Sequence, residues 1–301
     1  MSKTKRHLFG ATLLLATIAP SAMAGQADYQ AEAGYGLQQT DYDSTNNAKE
    51  TTHLVFFEYY LETVKIDNQP LAEAAFMNRV SSIGVGIQQF DFDTDDRTGD
   101  GNTTIIGYTH MQQGSPLWLQ FSYAQQSADT DFKDISFIDR SYDRTITSIG
   151  AGGFIAQNTA IALEYTKDEV EFSPAVYSDN DFTLTQIHVI AKHLMPLGNG
   201  NMVNIEGTVG TDDYDNKGSA NTENTVIEVV GDYYLNNMQS IGGTFEKISG
   251  DDNGEKGQAL AVQGKFFFTP KFSLAAQYRQ FSGDGTSVDD DRISINANLR
   301  F

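Results

Sequence analysis

The sequence has no cysteine and no long apolar run after its first 24 residues. Without cysteine the chain forms no disulfide, which fits an exported bacterial protein that needs none. The longest later apolar stretches, such as residues 54–61, are interrupted by Glu58 and are too short to cross a bilayer as helices. If the chain lies in a membrane, it must therefore cross as strands closed into a barrel, because lipid offers no partner to an open sheet edge.

Basic residues are also scarce. The first 24 residues contain three of the 20 basic residues and no acidic one, which leaves 17 bases against 40 acids in the remainder. This excess of acid disfavours nucleic acid and anionic lipid as partners. Mean hydropathy is negative as well, which excludes a helical membrane protein but fits a barrel, in which only alternate residues face lipid.

The N-terminal region has the pattern of an export signal. Lys3, Lys5 and Arg6 precede an apolar run over residues 8–19, and residues 22–24 (Ala-Met-Ala) form a small-residue cleavage site. We therefore predict a cleaved signal peptide over residues 1–24, with a retained signal anchor as the alternative, and one folded domain over residues 25–301.

The last eleven residues alternate strictly between apolar and polar side chains. Ile293, Ile295, Ala297, Leu299 and Phe301 share one face. A period of two marks a strand with one apolar and one polar face. This ending resembles the C-terminal signature of Gram-negative outer-membrane β-barrels, in which a terminal Phe, here Phe301, is part of what the insertion machinery reads. An edge strand of a soluble sandwich is the alternative.

Similar alternating segments recur along the chain, and their connections are of two kinds. We count fourteen strands, with twelve or sixteen possible because two segments have no clear facing. One set of connections is short and nearly uncharged, whereas the other set holds 29 of the 40 acidic residues. Outer-membrane barrels have short turns at one rim and long loops at the other. The sequence therefore predicts an all-β fold, a transmembrane antiparallel up-and-down β-barrel with short periplasmic turns and long acidic extracellular loops. The long acidic set comprises residues 41–50, 91–102, 127–143, 167–181, 211–223, 250–256 and 283–291.

One connection, residues 66–78, contains apolar residues at helical spacing after Pro70 and predicts a single helical turn. With the export signal, the strands, the sorted loops and Phe301, the chain resembles a Gram-negative porin. Residues 70–76 (PLAEAAF) resemble a stretch that recurs in porins of marine-type proteobacteria. Classical general porins are longer and have a Pro-Glu-Phe-Gly-Gly stretch in their constriction loop, which this chain lacks.

The resemblance implies an integral protein of the Gram-negative outer membrane with no cofactor. Its expected partners are outer-membrane lipid, lipopolysaccharide, the barrel assembly machinery, periplasmic chaperones and small hydrophilic solutes, and its oligomeric state is open. Eight strands leave a filled interior and sixteen to eighteen leave an aqueous channel, so about fourteen should enclose a narrow lumen. We expect passive diffusion of solutes and ions, with a preference for cations.

Charged residues at predicted inward positions are candidates for the pore lining. If their facing is right, adjacent arcs of the wall carry opposite charge, which orders water and slows apolar solutes. Pairing of these charges for stability is the alternative. The candidates are Lys265, Arg279, Arg292, Arg300, Glu206, Glu228, Asp232, Glu246, Glu58 and Glu62.

Two acidic loops contain further candidates. Residues 127–143 include several large apolar side chains, so we predict a constriction loop, with packing onto neighbouring loops as the alternative. Asp91, Asp93 and Asp95 are a weak calcium candidate, because hard cations take oxygen ligands but the spacing matches no helix–loop–helix site. The constriction residues are Phe132, Asp134, Phe137, Asp139 and Arg140.

We predict no enzyme activity. The histidines after residue 24 are His53, His110, His188 and His193, and no Ser or Asp stands at a recognisable spacing from them, although triads assemble in space rather than in sequence. Two other functions stay open. One is a structural or adhesive barrel with an occluded lumen that acts through its extracellular loops, and the other is a specific transporter for an apolar or oligomeric substrate.

Overall fold

The structure is a computed structural model that describes residues 28–43, 47–66, 69–132, 140–173, 181–197, 201–216, 221–250, 256–283 and 289–301. Within these residues, fourteen antiparallel strands form one closed barrel, and β1 pairs with β14. The predicted fold and strand number are confirmed. The strands are β1 (Tyr29–Asp43), β2 (Lys49–Val64), β3 (Ser82–Asp93), β4 (Arg97–Met111), β5 (Leu117–Phe132), β6 (Arg140–Ala156), β7 (Thr159–Ser173), β8 (Phe182–Pro196), β9 (Met202–Asn216), β10 (Thr222–Asn236), β11 (Gln239–Gly250), β12 (Lys256–Thr269), β13 (Phe272–Gly283) and β14 (Asp289–Arg300).

The outer face of the barrel carries a belt of exposed apolar side chains. On β12, Leu260 is 63% exposed and Val262 is 64% exposed, and comparable residues recur on neighbouring strands. A contiguous apolar belt of this kind is stable against lipid rather than water. The structure also settles the facing of β4, where Ile106 points outward and Ile105 points inward.

The extracellular connections are shorter than predicted because the strands continue into them. The predicted loop 91–102 is wrong in its extent, since β3 and β4 are joined by residues 94–96 alone and Asp91 pairs directly with Asp100. The predicted loop 127–143 is likewise mostly strand, because β5 reaches Phe132 and β6 begins at Arg140. Backbone pairing does not depend on side-chain polarity, so strands rich in Asp continue where their outer face meets water.

The connection between β2 and β3 folds into the barrel. A short 3₁₀-helix (Leu71–Glu73) leads directly into α1 (Ala74–Asn78), as the helical spacing predicted. We call residues 70–79 the plug. Leu71, Ala72 and Ala74 of the plug are at most 3% exposed, so this segment lies inside the barrel wall. Within the described residues, no helix is long and apolar enough to cross a membrane.

Candidate functional site

The inner face of the barrel is rich in charged side chains along β6 to β14 and poor in them along β3 to β5. Inward positions on β3 and β5 are occupied by Gly, Ser, Gln, Thr, Ala and aromatic residues. Charged residues that alternate with the exposed apolar belt are the acids Glu32, Glu50, Glu58, Glu164, Asp168, Glu206, Asp212, Glu228, Asp232, Glu246 and Asp290, and the bases Arg97, Arg144, Lys192, Lys265, Arg279, Arg292 and Arg300.

The two arcs of opposite charge predicted from the sequence are joined where they meet. Arg279 on β13 reaches Glu246 on β11 at 2.8 Å and Asp290 on β14 at 3.1 Å. Gln263 donates a hydrogen bond to Asp232 at 2.7 Å and accepts one from Gln277 at 3.1 Å. Direct pairing with Glu246 and Asp290 thus compensates the charge of Arg279.

The remaining predicted pore-lining residues differ in exposure. Glu206, Glu228, Lys265 and Arg292 are partly exposed on the inner face. Arg300 is 1% exposed and so belongs to the packed part of the interior. Glu58 accepts a hydrogen bond from Tyr60 at 3.0 Å. Glu62 is exposed at the periplasmic end of β2.

The constriction and calcium predictions gain no support from the described residues. Phe132 and Arg140 are the terminal residues of β5 and β6, and Asp134, Phe137 and Asp139 lie outside the described residues. Asp95 in the turn between β3 and β4 accepts a hydrogen bond from Asn47 at 3.1 Å. Nowhere in the described part of the chain are three or more His, Asp or Glu side chains grouped to hold a metal ion.

Sequence reasoning missed two contacts between polar side chains on adjacent strands. Arg144 on β6 binds both carboxylate oxygens of Asp168 on β7 at 2.6 to 3.1 Å. His188 on β8 lies 2.9 Å from Asp212 on β9. Each pair joins inward positions on adjacent strands, a relation that becomes visible only once the register is known.

The plug packs against the wall on opposite sides of the barrel. One apolar cluster joins Leu71, Ala74 and Ala75 of the plug to the ends of β1 and β2. A second joins Ala72 and Phe76 to strands that include β6, β7, β8 and β10. Because the two clusters lie on either side of the same short segment, the plug bridges the periplasmic end of the lumen. The wall residues are Tyr29, Tyr60 and Val64 in the first cluster and Phe154, Ala160, Leu194 and Tyr234 in the second.

One buried carboxylate fixes the centre of the plug. Glu73 is 4% exposed, its Oε2 lies 2.9 Å from Nζ of Lys192 on β8, and its Oε1 accepts a hydrogen bond from Tyr234 on β10 at 2.7 Å. Burial by itself would raise the pKa of Glu73, but Lys192 and the hydrogen bonds outweigh it and hold the pKa below its ordinary value of 4.5. Glu73 is therefore an ionised group held in place by partners from two strands.

Both ends of the plug are also bound to the barrel. The backbone N–H of Leu71 donates to the carbonyl of Asn237 at 3.2 Å, and Arg300 donates to the carbonyl of Leu71 at 3.4 Å. At the other end, Arg79 ends α1 with φ of 54°. Its guanidinium donates to the carbonyl of Ser115 at 3.2 Å and stacks 4.1 Å from the ring centre of Phe154.

Solved structures with the same fold are outer-membrane β-barrels. The outer membrane protein Omp33 of Acinetobacter baumannii is 18% identical, with a TM-score of 0.57 over 91% of this chain and 99% of that chain. The CymD monoaromatic hydrocarbon channel is 10% identical, with a TM-score of 0.60 over 92% and 90%. At these identities the likeness shows the fold.

Sequence comparison with curated proteins finds no match. A family match, by contrast, extends over residues 4–301. The chain belongs to the family described as "Putative general bacterial porin".

Proposed function

We propose that this protein is a passive diffusion channel of the outer membrane for small hydrophilic solutes and ions, with a preference for cations. The observation that carries the proposal is the charged inner face, since a barrel that only filled its interior for stability would need far fewer ionised groups there. Membership of a porin family supports the same conclusion. We further propose that residues 1–24 are a cleaved export signal and that periplasmic chaperones and the barrel assembly machinery deliver the chain.

The cation preference follows from the sign of the charges along the path. Acidic residues outnumber basic ones on the described inner face, and the segments at the extracellular end of the barrel are also rich in acids. A path lined by one sign of charge concentrates ions of the opposite sign. Lys265 has no ion pair among the described residues, so its charge contributes directly to the field in the lumen.

Single-channel recording in planar bilayers tests this proposal. Folded protein comprising residues 25–301, verified by its heat-dependent migration on gels, should give ohmic steps whose reversal potential in a KCl gradient favours K⁺. The substitution Lys265→Glu should move the reversal potential further toward K⁺. Lys271→Glu is the matched control, because Lys271 is exposed in the turn between β12 and β13, and it should leave the reversal potential unchanged.

The alternative functions would give different single-channel current recordings. A reversal potential that favours Cl⁻, or that is identical in the native protein and Lys265→Glu, would contradict the cation preference. A folded barrel with no steps under any condition would favour the structural or adhesive barrel. If one class of solute reduces the ion current at low concentration, a specific transporter would be favoured.

A further inference from the structure

Hydrogen bonds of Asn78 hold the two ends of the plug's connection together. Asn78 donates from its amide to the carbonyl of Lys65 at 2.8 Å and to that of Ala74 at 2.7 Å. Its Oδ1 accepts from the backbone N–H of Lys65 at 3.3 Å. These bonds join Lys65, the first residue after β2, to Asn78, the last residue of α1. They lie within the connection itself and would survive its displacement from the wall.

Lys192 lies between two carboxylates, one on the plug and one on the wall. Its Nζ is 2.9 Å from Glu73 of the plug and 3.5 Å from Glu206 on β9. The Lys192 side chain is 11% exposed, whereas that of Glu206 is 33% exposed and faces the lumen. The barrel therefore already holds a second partner for Lys192 that does not depend on the plug.

From this arrangement we infer that the plug is a gate at the periplasmic end of the lumen and that Lys192 is its latch, bonded to Glu73 when the gate is closed and to Glu206 alone when it is open. The inference rests on the proposed channel function and adds the element that regulates it.

The ion pairs of the wall favour a plug that can open and close over one that seals the lumen permanently. Removing one partner of a buried ion pair is costly chiefly because the other charge is left unpaired. Here the wall keeps Lys192 paired through Glu206, and Glu73 would move into water with the plug. Arg300 similarly keeps Glu32, 3.4 Å away, when it loses the carbonyl of Leu71. Opening thus leaves no cation of the wall without a carboxylate.

A reversible cross-link tests whether the plug must move. Leu71 and Asn237 are hydrogen-bonded through their backbones, so the variant Leu71→Cys/Asn237→Cys should form a disulfide when the plug is seated, and the chain has no other cysteine. Oxidised protein should conduct at background level, and reductant should restore native steps. Equal conductance in the oxidised and reduced states, with the disulfide verified by mass, would overturn the gate.

Two substitutions with opposite expected effects test the latch. Glu73→Gln weakens the closed state alone and should raise the ratio of open to closed time by about tenfold to a hundredfold, the range for a hydrogen bond to a charged group. Glu206→Gln removes the carboxylate that stays with Lys192 in the open state and should lower the same ratio. Asp28→Asn, at the exposed residue that precedes β1, is the control with the same change of charge. A change of the same sign in both variants would overturn the latch.

A barrel without the plug separates failure of the gate from failure of the channel. Replacement of residues 70–79 by a short Gly-Asn turn should give a folded barrel that conducts without closing. If this barrel conducts and the cross-linked protein conducts equally well, the gate is refuted and the channel stands. If the barrel without the plug is folded and silent, the channel itself is refuted.

Discussion

The plug and the acidic hairpin between β3 and β4 extend from the barrel wall in opposite directions. The plug turns inward and buries Leu71 and Phe76 against the wall. The hairpin between β3 and β4 continues outward, and Asp91 lies opposite Asp100 on adjacent strands of its outer face. Apolar side chains gain by leaving water and acidic ones by staying in it. The composition of each connection therefore decides whether it closes the lumen or extends the barrel.

The two ends of the barrel also differ in their ion pairs. At the periplasmic end, Arg300 and Glu32 have side chains 1% and 0% exposed. At the extracellular end, Lys49 and Asp41 lie 3.9 Å apart with side chains 64% and 55% exposed. Buried pairs are costly to break on one side, whereas exposed pairs contribute little. The periplasmic end should thus be the more sensitive of the two to charge removal.

The largest expected effect is that of Arg300→Met. This substitution leaves Glu32 buried without its cation and removes the guanidinium that lies 3.9 Å from the Tyr29 ring centre. We expect a loss of about 3–5 kcal/mol in the free energy of unfolding, measured from the urea midpoint of the refolded barrel. The double variant Arg300→Met/Glu32→Gln should recover part of the loss. A double variant as unstable as the single one would show that packing rather than charge dominates.

The sequence predicts which side chains share a face of each strand, but it does not predict which residues pair between strands. Period-two alternation predicts which face of a strand is apolar, and it places Arg279 and Glu246 on the polar faces of their strands. Alternation contains no register, however, and the pairing of Arg279 with Glu246 or of Arg144 with Asp168 follows only from register.

The position of the plug was missed although its helix was predicted. The spacing of Leu71 and Phe76 indicated a helical turn but not what the turn covers. One available indication was composition, because a turn exposed to the periplasm has no need of so many apolar residues.

The extracellular loops were predicted to be longer than they are, and the reason is again the position of the residues in the barrel. Asp and Gly are depleted in strands in general, but a strand that projects beyond the membrane meets water and tolerates them.

Acid should open the gate, and we expect this effect to be smaller than that of Arg300→Met. The lowered pKa of Glu73 means that its stabilisation of the closed state is complete above pH 4.5 and is lost as the pH falls through the lower value of the folded protein. Lys192, Tyr234 and Lys265 face Glu73 from β8, β10 and β12, and Glu73 is the carboxylate among these four groups. We expect the open fraction in single-channel records to rise on acidification below pH 4.5.

The variant Glu73→Gln is the control for this pH dependence. It lacks the titrating group of the plug, so its open fraction should not rise between pH 5 and pH 3. An equal rise in the native protein and in Glu73→Gln would assign the acid response to other carboxylates of the lumen.

The smallest effect is expected from Lys49→Met at the extracellular end. The Lys49–Asp41 pair is long and solvated, so its loss should change the free energy of unfolding by no more than about 1 kcal/mol. The same urea titration used for Arg300→Met measures it, and any difference from the native protein should vanish at high salt, because exposed pairs are screened. A loss as large as that of Arg300→Met would mean that ion pairs fix both ends of the barrel alike. In that case burial would not be what distinguishes the two ends.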